Sequence, residues 1–129
     1  MFVPPARLGI HYPEKGLMRF ISRVGLGAAK RILLAVEAFD DKAMLEMGFI
    51  DYLVPRDQLA HRTRQLAGDI SALAPLSVQT MKQSLNELAR GEASGEAIKA
   101  RIAQCWNSQD HKEAVRAMGE KRKPVFQLK

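Results

Sequence analysis

Apolar residues recur along most of this chain at intervals of three and four, the mark of amphipathic helices. Leu17, Phe20, Ile21 and Val24 trace the first. Pro13 fixes a backbone angle suited to a helix start, Glu14 sets a carboxylate in the first turn, and Gly25 supplies a stop. A second helix is expected over residues 26–37, with Ile32, Leu33 and Val36 facing inward. Asp40 is placed to cap a short helix through residue 47, and Gly48 to end it in a left-handed conformation. Phe49-Ile50-Asp51-Tyr52-Leu53-Val54, closed by Pro55, is the one clear strand candidate.

The rest is helical in pattern. Leu59, Thr63, Leu66, Ile70 and Leu73 form a narrow apolar seam on an otherwise polar stretch, broken at Ala74-Pro75. Val78, Met81, Leu85 and Leu88 form the next, stopped by Gly91, with a turn over residues 92–95. Ile98, Ile102 and Trp106 mark a further helix, and Asn107-Ser108 caps a last one, from Gln109 to about Lys121, which Pro124 cannot continue. One strand among so many amphipathic helices is an odd independent domain. Either a small bundle packs against itself, or the narrow seams meet a sheet or other copies of the chain.

Composition narrows the classes. Hydrophobic residues make up 47% of the 129 and charged residues 26%, ordinary for a globular protein. The net charge of +6 suits an anionic partner: nucleic acid, a membrane surface, or a phosphate-bearing ligand such as coenzyme A. Apart from Lys121-Arg122-Lys123 the cations are dispersed, which reads as a solvated face and makes nucleic acid unlikely. Cys105 is the only cysteine, so an internal disulfide or a thiol metal cluster is excluded, and a reducing compartment is expected. No apolar run reaches the roughly 20 residues that cross a bilayer, and no signal peptide is apparent, so a cytoplasmic protein is expected.

Read in order, Phe2-x-x-Pro4-x-Ala6-Arg7-Leu8-Gly9-Ile10, Arg19-Phe20, Arg23-Val24-Gly25, Ile32-Leu33-Leu34 and Glu37-Ala38-Phe39-Asp40 are followed by Gly48, Ile50-Asp51 and Val54-Pro55. Ala74-Pro75-Leu76-Ser77, Lys82, Ser108, Asp110, Glu113 and Glu120-Lys121-Arg122-Lys123-Pro124-Val125-Phe126 complete the series. Together these resemble the enoyl-CoA hydratase/isomerase (crotonase) superfamily. The first of these passages lies in the middle of such enzymes, so the resemblance implies a C-terminal half with the first half absent. The implied fold is mainly helical as present: the C-terminal portion of an α/β crotonase-like fold. Residues 1–55 would be the end of its core, and residues 56–129 a helical oligomerisation region that builds trimers or hexamers.

The resemblance implies acyl-CoA thioesters as substrates, with coenzyme A carried as part of the substrate and no separate cofactor. Two backbone N–H donors stabilise a thioester enolate, because the alpha proton becomes removable only when fixed donors meet the developing oxygen charge. The donor segments lie upstream of the matched strand. The place of a hydratase glutamate falls on Pro5, which has no group able to move a proton. Some relatives use an acid after a second proline, and Glu14 after Pro13 holds that place; the alternative is a carboxylate that only stabilises a helix start. Lys121 matches a lysine that approaches the CoA phosphates from a neighbouring subunit, although the aromatic that accompanies it falls on Met118; the alternative is a solvated helix end.

His11 and Tyr12 either line a pocket or finish a strand, the second being favoured. His61 and His111 stand alone on polar faces, which argues against a metal. Cys105 beside Trp106 reads as packing, not a nucleophile. Two readings follow: part of a thioester-processing enzyme, inactive as a hydratase in isolation, or a non-catalytic helical assembly module.

Overall fold

The computed structural model of the chain describes residues 1–128, and every regular element among them is helical. They fall into two compact units, residues 1–56 and residues 57 onward.

The first unit is built on helix α1, Glu14–Leu33. Gly25 interrupts it with φ 76° and ψ 168°, so two helical runs meet at the expected stop without a connecting loop. The second run ends at Leu33, short of residue 37. The amides of Leu34 and Ala35 both return to the Lys30 carbonyl and that of Glu37 to Arg31, which winds the chain out of the helix. Val36 is buried there at a left-handed φ of 52°. The Arg31 guanidinium fastens the turn, bonding the Glu37 carboxylate at 2.7 and 3.0 Å and lying over the Phe39 ring. Ile32, Leu33 and Phe39 form the buried centre, joined by Tyr12, Leu17, Phe20, Val24, Met44 and Met47.

Asp40 accepts the Ala43 amide and caps α2, Asp41–Glu46, as expected, and Gly48 follows at φ 76°. The strand expected over residues 49–54 does not form. Its first amides are already spent: Phe49 and Ile50 both donate to the Met44 carbonyl. Arg23 then takes the Phe49 carbonyl and pairs with Asp51 at 2.7 Å. A strand needs a ladder partner for its backbone groups, and no described segment offers one. Met1 and Phe39 make a strand-like exchange, each donating its backbone nitrogen to the other's carbonyl.

The second unit holds α3 (Leu59–Ser71), α4 (Pro75–Ala89), α5 (Gly95–Asn107) and α6 (Gln109–Gly119). Pro75 opens α4, while the hydroxyls of Ser94 and Ser108 cap α5 and α6. Helix α4 packs on α5, and α5 on α6. The buried residues of this unit are Ala117, Ser108 and Asp110. The apolar seams are exposed instead, with Leu85 and Trp106 each at 65%.

After α6 the chain folds back along it. Asp110, 2% exposed, receives the amides of Gln127 and Leu128, one on each carboxylate oxygen, at 2.7 and 3.0 Å. Glu113 receives the Val125 amide and a two-pronged contact from Arg122. The Arg122 guanidinium and the Val125 amide hold the Glu113 carboxyl down at about 2, against an ordinary 4.5.

A carboxylate whose acidity is raised on folding contributes stability above its ordinary titration range and loses it as pH falls towards the folded value. The Glu113 anchorage is therefore complete above about pH 4.5 and is lost between there and about pH 2. Hydrogen exchange at the Val125 amide should quicken across that window relative to amides inside α5. Glu113→Gln should quicken it at neutral pH and remove the pH dependence. An exchange ratio that stays flat down to pH 2 would show that Glu113 does not hold the tail.

Candidate functional site

The head of α1 carries the first candidate. Pro13 (φ −62°, ψ 144°) turns the chain into the helix, and its carbonyl receives the amides of Gly16 and Leu17 at 2.8 and 3.0 Å. Glu14 is the first helical residue and lies exposed at the positive end of the helix. Its carboxylate has no ion-pair or hydrogen-bond partner among the described residues. Pro5 is buried and has a structural task. Its carbonyl closes the turn over Ala6–Leu8 by accepting the amides of Leu8 and Ile10.

His11 and Tyr12 do not finish a strand, since none forms there. His11 is exposed, whereas Tyr12 folds back on α1. With Gly16, Arg19, Phe20, Ser22, Arg23 and Phe49, Tyr12 lines an open concavity of about 480 Å³. Three aromatic rings and two guanidiniums thus stand beside the Glu14 turn. The spacing of apolar residues does not single out Gly16 as part of this group.

The second candidate lies in the other unit. Helix α6 ends in a Schellman arrangement: the Lys121 amide bonds the Met118 carbonyl at 3.2 Å and the Arg122 amide bonds Ala117 at 3.0 Å. Lys121 takes the left-handed place, with φ 53°, where glycine is usual. Its neighbour Arg122 is fully engaged by Glu113 and Glu120, which push its proton affinity above the ordinary arginine range. Lys121 is exposed and unpaired among the described residues. Met118, which holds the place of the accompanying aromatic, is 78% exposed.

Between α4 and α5 runs a groove of about 400 Å³ walled by Met81, Leu85, Leu88, Ile98, Ile102 and Trp106. Arg101 crosses it and grips the Glu87 carboxylate with both nitrogens at 2.7 and 2.8 Å, also donating to Ser84. Arg101 and then Gln83 hold the Glu87 carboxyl below its ordinary value. The pair satisfies itself and leaves the groove apolar. Cys105 is half-buried against the Thr80 hydroxyl, in keeping with packing. His61 is exposed on α3, and His111 meets the Trp106 ring edge-on at 4.7 Å. No group of histidine, cysteine and acidic side chains among the described residues is arranged to hold a metal. No described helix is long and apolar enough to cross a membrane.

Comparison with known proteins places this arrangement. The family model described as enoyl-CoA hydratase/isomerase matches residues 2–129. The methylmalonyl-CoA decarboxylase of Escherichia coli is 27% identical over 126 residues, which are 95% of this chain and 48% of that protein. An enoyl-CoA hydratase of Mycobacterium tuberculosis is 34% identical over 119 residues, 90% of this chain and 45% of its own. Among solved structures, an enoyl-CoA hydratase/isomerase family protein of Hyphomonas neptunium superposes with a TM-score of 0.84 at 29% identity, covering 97% of this chain and 48% of that one. The chain spans about half the length of the curated relatives it matches. Its helices correspond to the C-terminal helical half of the crotonase fold. Matched along almost its whole length in sequence and in backbone, the chain belongs to the enoyl-CoA hydratase/isomerase family.

Proposed function

We propose that these residues are the C-terminal portion of an enzyme that acts on acyl-CoA thioesters through an enolate, and that alone they do not hydrate enoyl-CoA. Glu14 is the acid/base group, standing as a free carboxylate at a helix start beside an aromatic-lined concavity. Lys121 meets the CoA phosphates of a neighbouring subunit. Two hydratase glutamates are not available here, because Pro5 holds the place of one and serves a turn. The reaction within the family stays open, since the relatives named above include a decarboxylase and a hydratase.

The observation that carries the CoA reading is the Lys121 backbone. A side-chain-bearing residue in the left-handed region costs about 1–2 kcal/mol. Glycine would hold the same helix end without that cost, and a task for the lysine side chain would offset it. A lysine ammonium is a mobile point charge suited to phosphate. Next to it, Arg122 is committed to two carboxylates and cannot take that part.

The exposed faces of α4 and α5 support assembly into a trimer or hexamer. They equally favour a second reading, a non-catalytic helical assembly module. The lone, unpaired Cys105 supports a reducing compartment, and we place the protein in the cytoplasm.

Crotonyl-CoA hydration by the purified 129-residue chain should not exceed the buffer rate; clear turnover would refute the claim of inactivity. Light scattering should give a trimer or hexamer, and a well-behaved monomer would count against both readings of the apolar faces. In an assembled form that binds CoA, Lys121→Met should weaken binding about tenfold, the scale of one charge-assisted hydrogen bond. Lys121→Gly should weaken it equally while raising the unfolding temperature. Unchanged CoA affinity in both would remove the phosphate role and leave the assembly module.

A further inference from the structure

Tyr12 stands one residue before the cap of α1, the position from which an apolar side chain staples a helix entry and fixes the angle at which the chain arrives. The ring is held more closely than a staple requires. A Cβ on Gly16 would stand 2.5 and 2.7 Å from two Tyr12 ring carbons, nearer than carbon atoms can approach. Any side chain at position 16 therefore evicts the ring. One turn further, Phe20 meets the same ring edge-on, with centroids 5.8 Å apart and planes at 70°. Phe20 in turn leans on Phe49, at 6.1 Å. Tyr12 and Leu17 both pack on the Ile32, Leu33 and Phe39 centre.

Glu14 lies midway between the two clasped residues. Pro13 beside it has its φ locked by the ring, and Glu14 itself is already helical. With Tyr12 seated on Gly16, the backbone between them is held at both ends, which leaves the Glu14 carboxylate to be placed by its side-chain torsions. We propose that Tyr12, seated on Gly16, is the positioning residue for the Glu14 carboxylate. The proposal rests on the reading of Glu14 as the acid/base group, but the clasp can be tested without it. The Tyr12 hydroxyl plays no part; the ring does the holding.

In NMR spectra of the 129-residue chain, the Gly16 amide and α protons should show a ring-current displacement in the wild type and in Tyr12→Phe. It should vanish in Tyr12→Ala and Gly16→Ala, and the Glu14 amide and carboxyl-carbon resonances should move in those two variants alone. Circular dichroism checks folding, and Tyr12→Leu, an apolar staple without a ring current, replaces Tyr12→Ala if that variant unfolds. No displacement in the wild type refutes the clasp. Loss of the Gly16 displacement with Glu14 unmoved refutes positioning. In a form that turns over acyl-CoA, Tyr12→Ala should lower kcat at least tenfold with KM little changed, and Tyr12→Phe should restore it; equal loss in both overturns the role assigned to the ring. Glu14→Gln with full kcat would overturn the acid/base reading alone and leave the NMR result standing.

Discussion

The apolar faces of α4 and α5 are costly to leave in water, and the four helices of their unit do not cover them. Leu85, Leu88, Met81, Ile102 and Trp106 all remain more than half exposed, while the fully buried apolar side chain of that unit is Ala117. Taking each of the larger side chains from half exposure to full burial is worth about 1 kcal/mol. Contiguous apolar surface of this kind is rare on a protein that stays alone in water. The Arg101–Glu87 pair fits that role. Its charges satisfy each other at 16% and 18% side-chain exposure, so an apolar surface can come down on the groove without stranding a charge. The first unit differs, because Ile32, Leu33 and Phe39 close a small core of their own.

Whatever depended on neighbours in sequence was legible. Asp40 and Ser108 cap as their side chains dictate, Gly25 and Gly48 stop helices with positive φ, and Ala74-Pro75 parts α3 from α4. Whatever depended on a distant partner was not. Residues 49–54 have the composition of a strand, but β-propensity expresses fit to a neighbouring strand, not a preference of the backbone alone. With no ladder in reach, the Phe49 and Ile50 amides went to the nearest free carbonyl, that of Met44. The helix expected to reach residue 37 failed for a related reason. Arg31 found Glu37 and the Phe39 ring, and that turn holds a valine at φ 52° that periodicity alone would have kept helical.

The candidates Glu14 and Lys121 were singled out only through resemblance. Nothing in the spacing of residues marks a lone Pro-Glu pair as chemical, and a carboxylate suits any helix start. The Tyr12–Gly16 contact did leave a local sign, an aromatic before the cap and a glycine in the first turn, but a pattern of apolar positions does not register a missing Cβ. The tail clasp left no sign: Glu113 and Arg122 are nine residues apart, and Asp110 meets amides beyond a proline.

The end of α6 shows how two adjacent cations come to differ. Arg122 has a planar fork that matches the Glu113 carboxylate, and that contact, with the Asp110 clasp beyond it, pins the chain on the far side of the turn. A chain pinned so close to the helix end must reverse within one residue, and the reversal falls on Lys121 at φ 53°. The strain is therefore imposed by the neighbours and sustained by the two Schellman hydrogen bonds. What it yields is a lysine whose backbone is fixed and whose ammonium is uncommitted. A cation is favourable at any helix C-terminus, and here it stands on a left-handed backbone beside an arginine that is already locked.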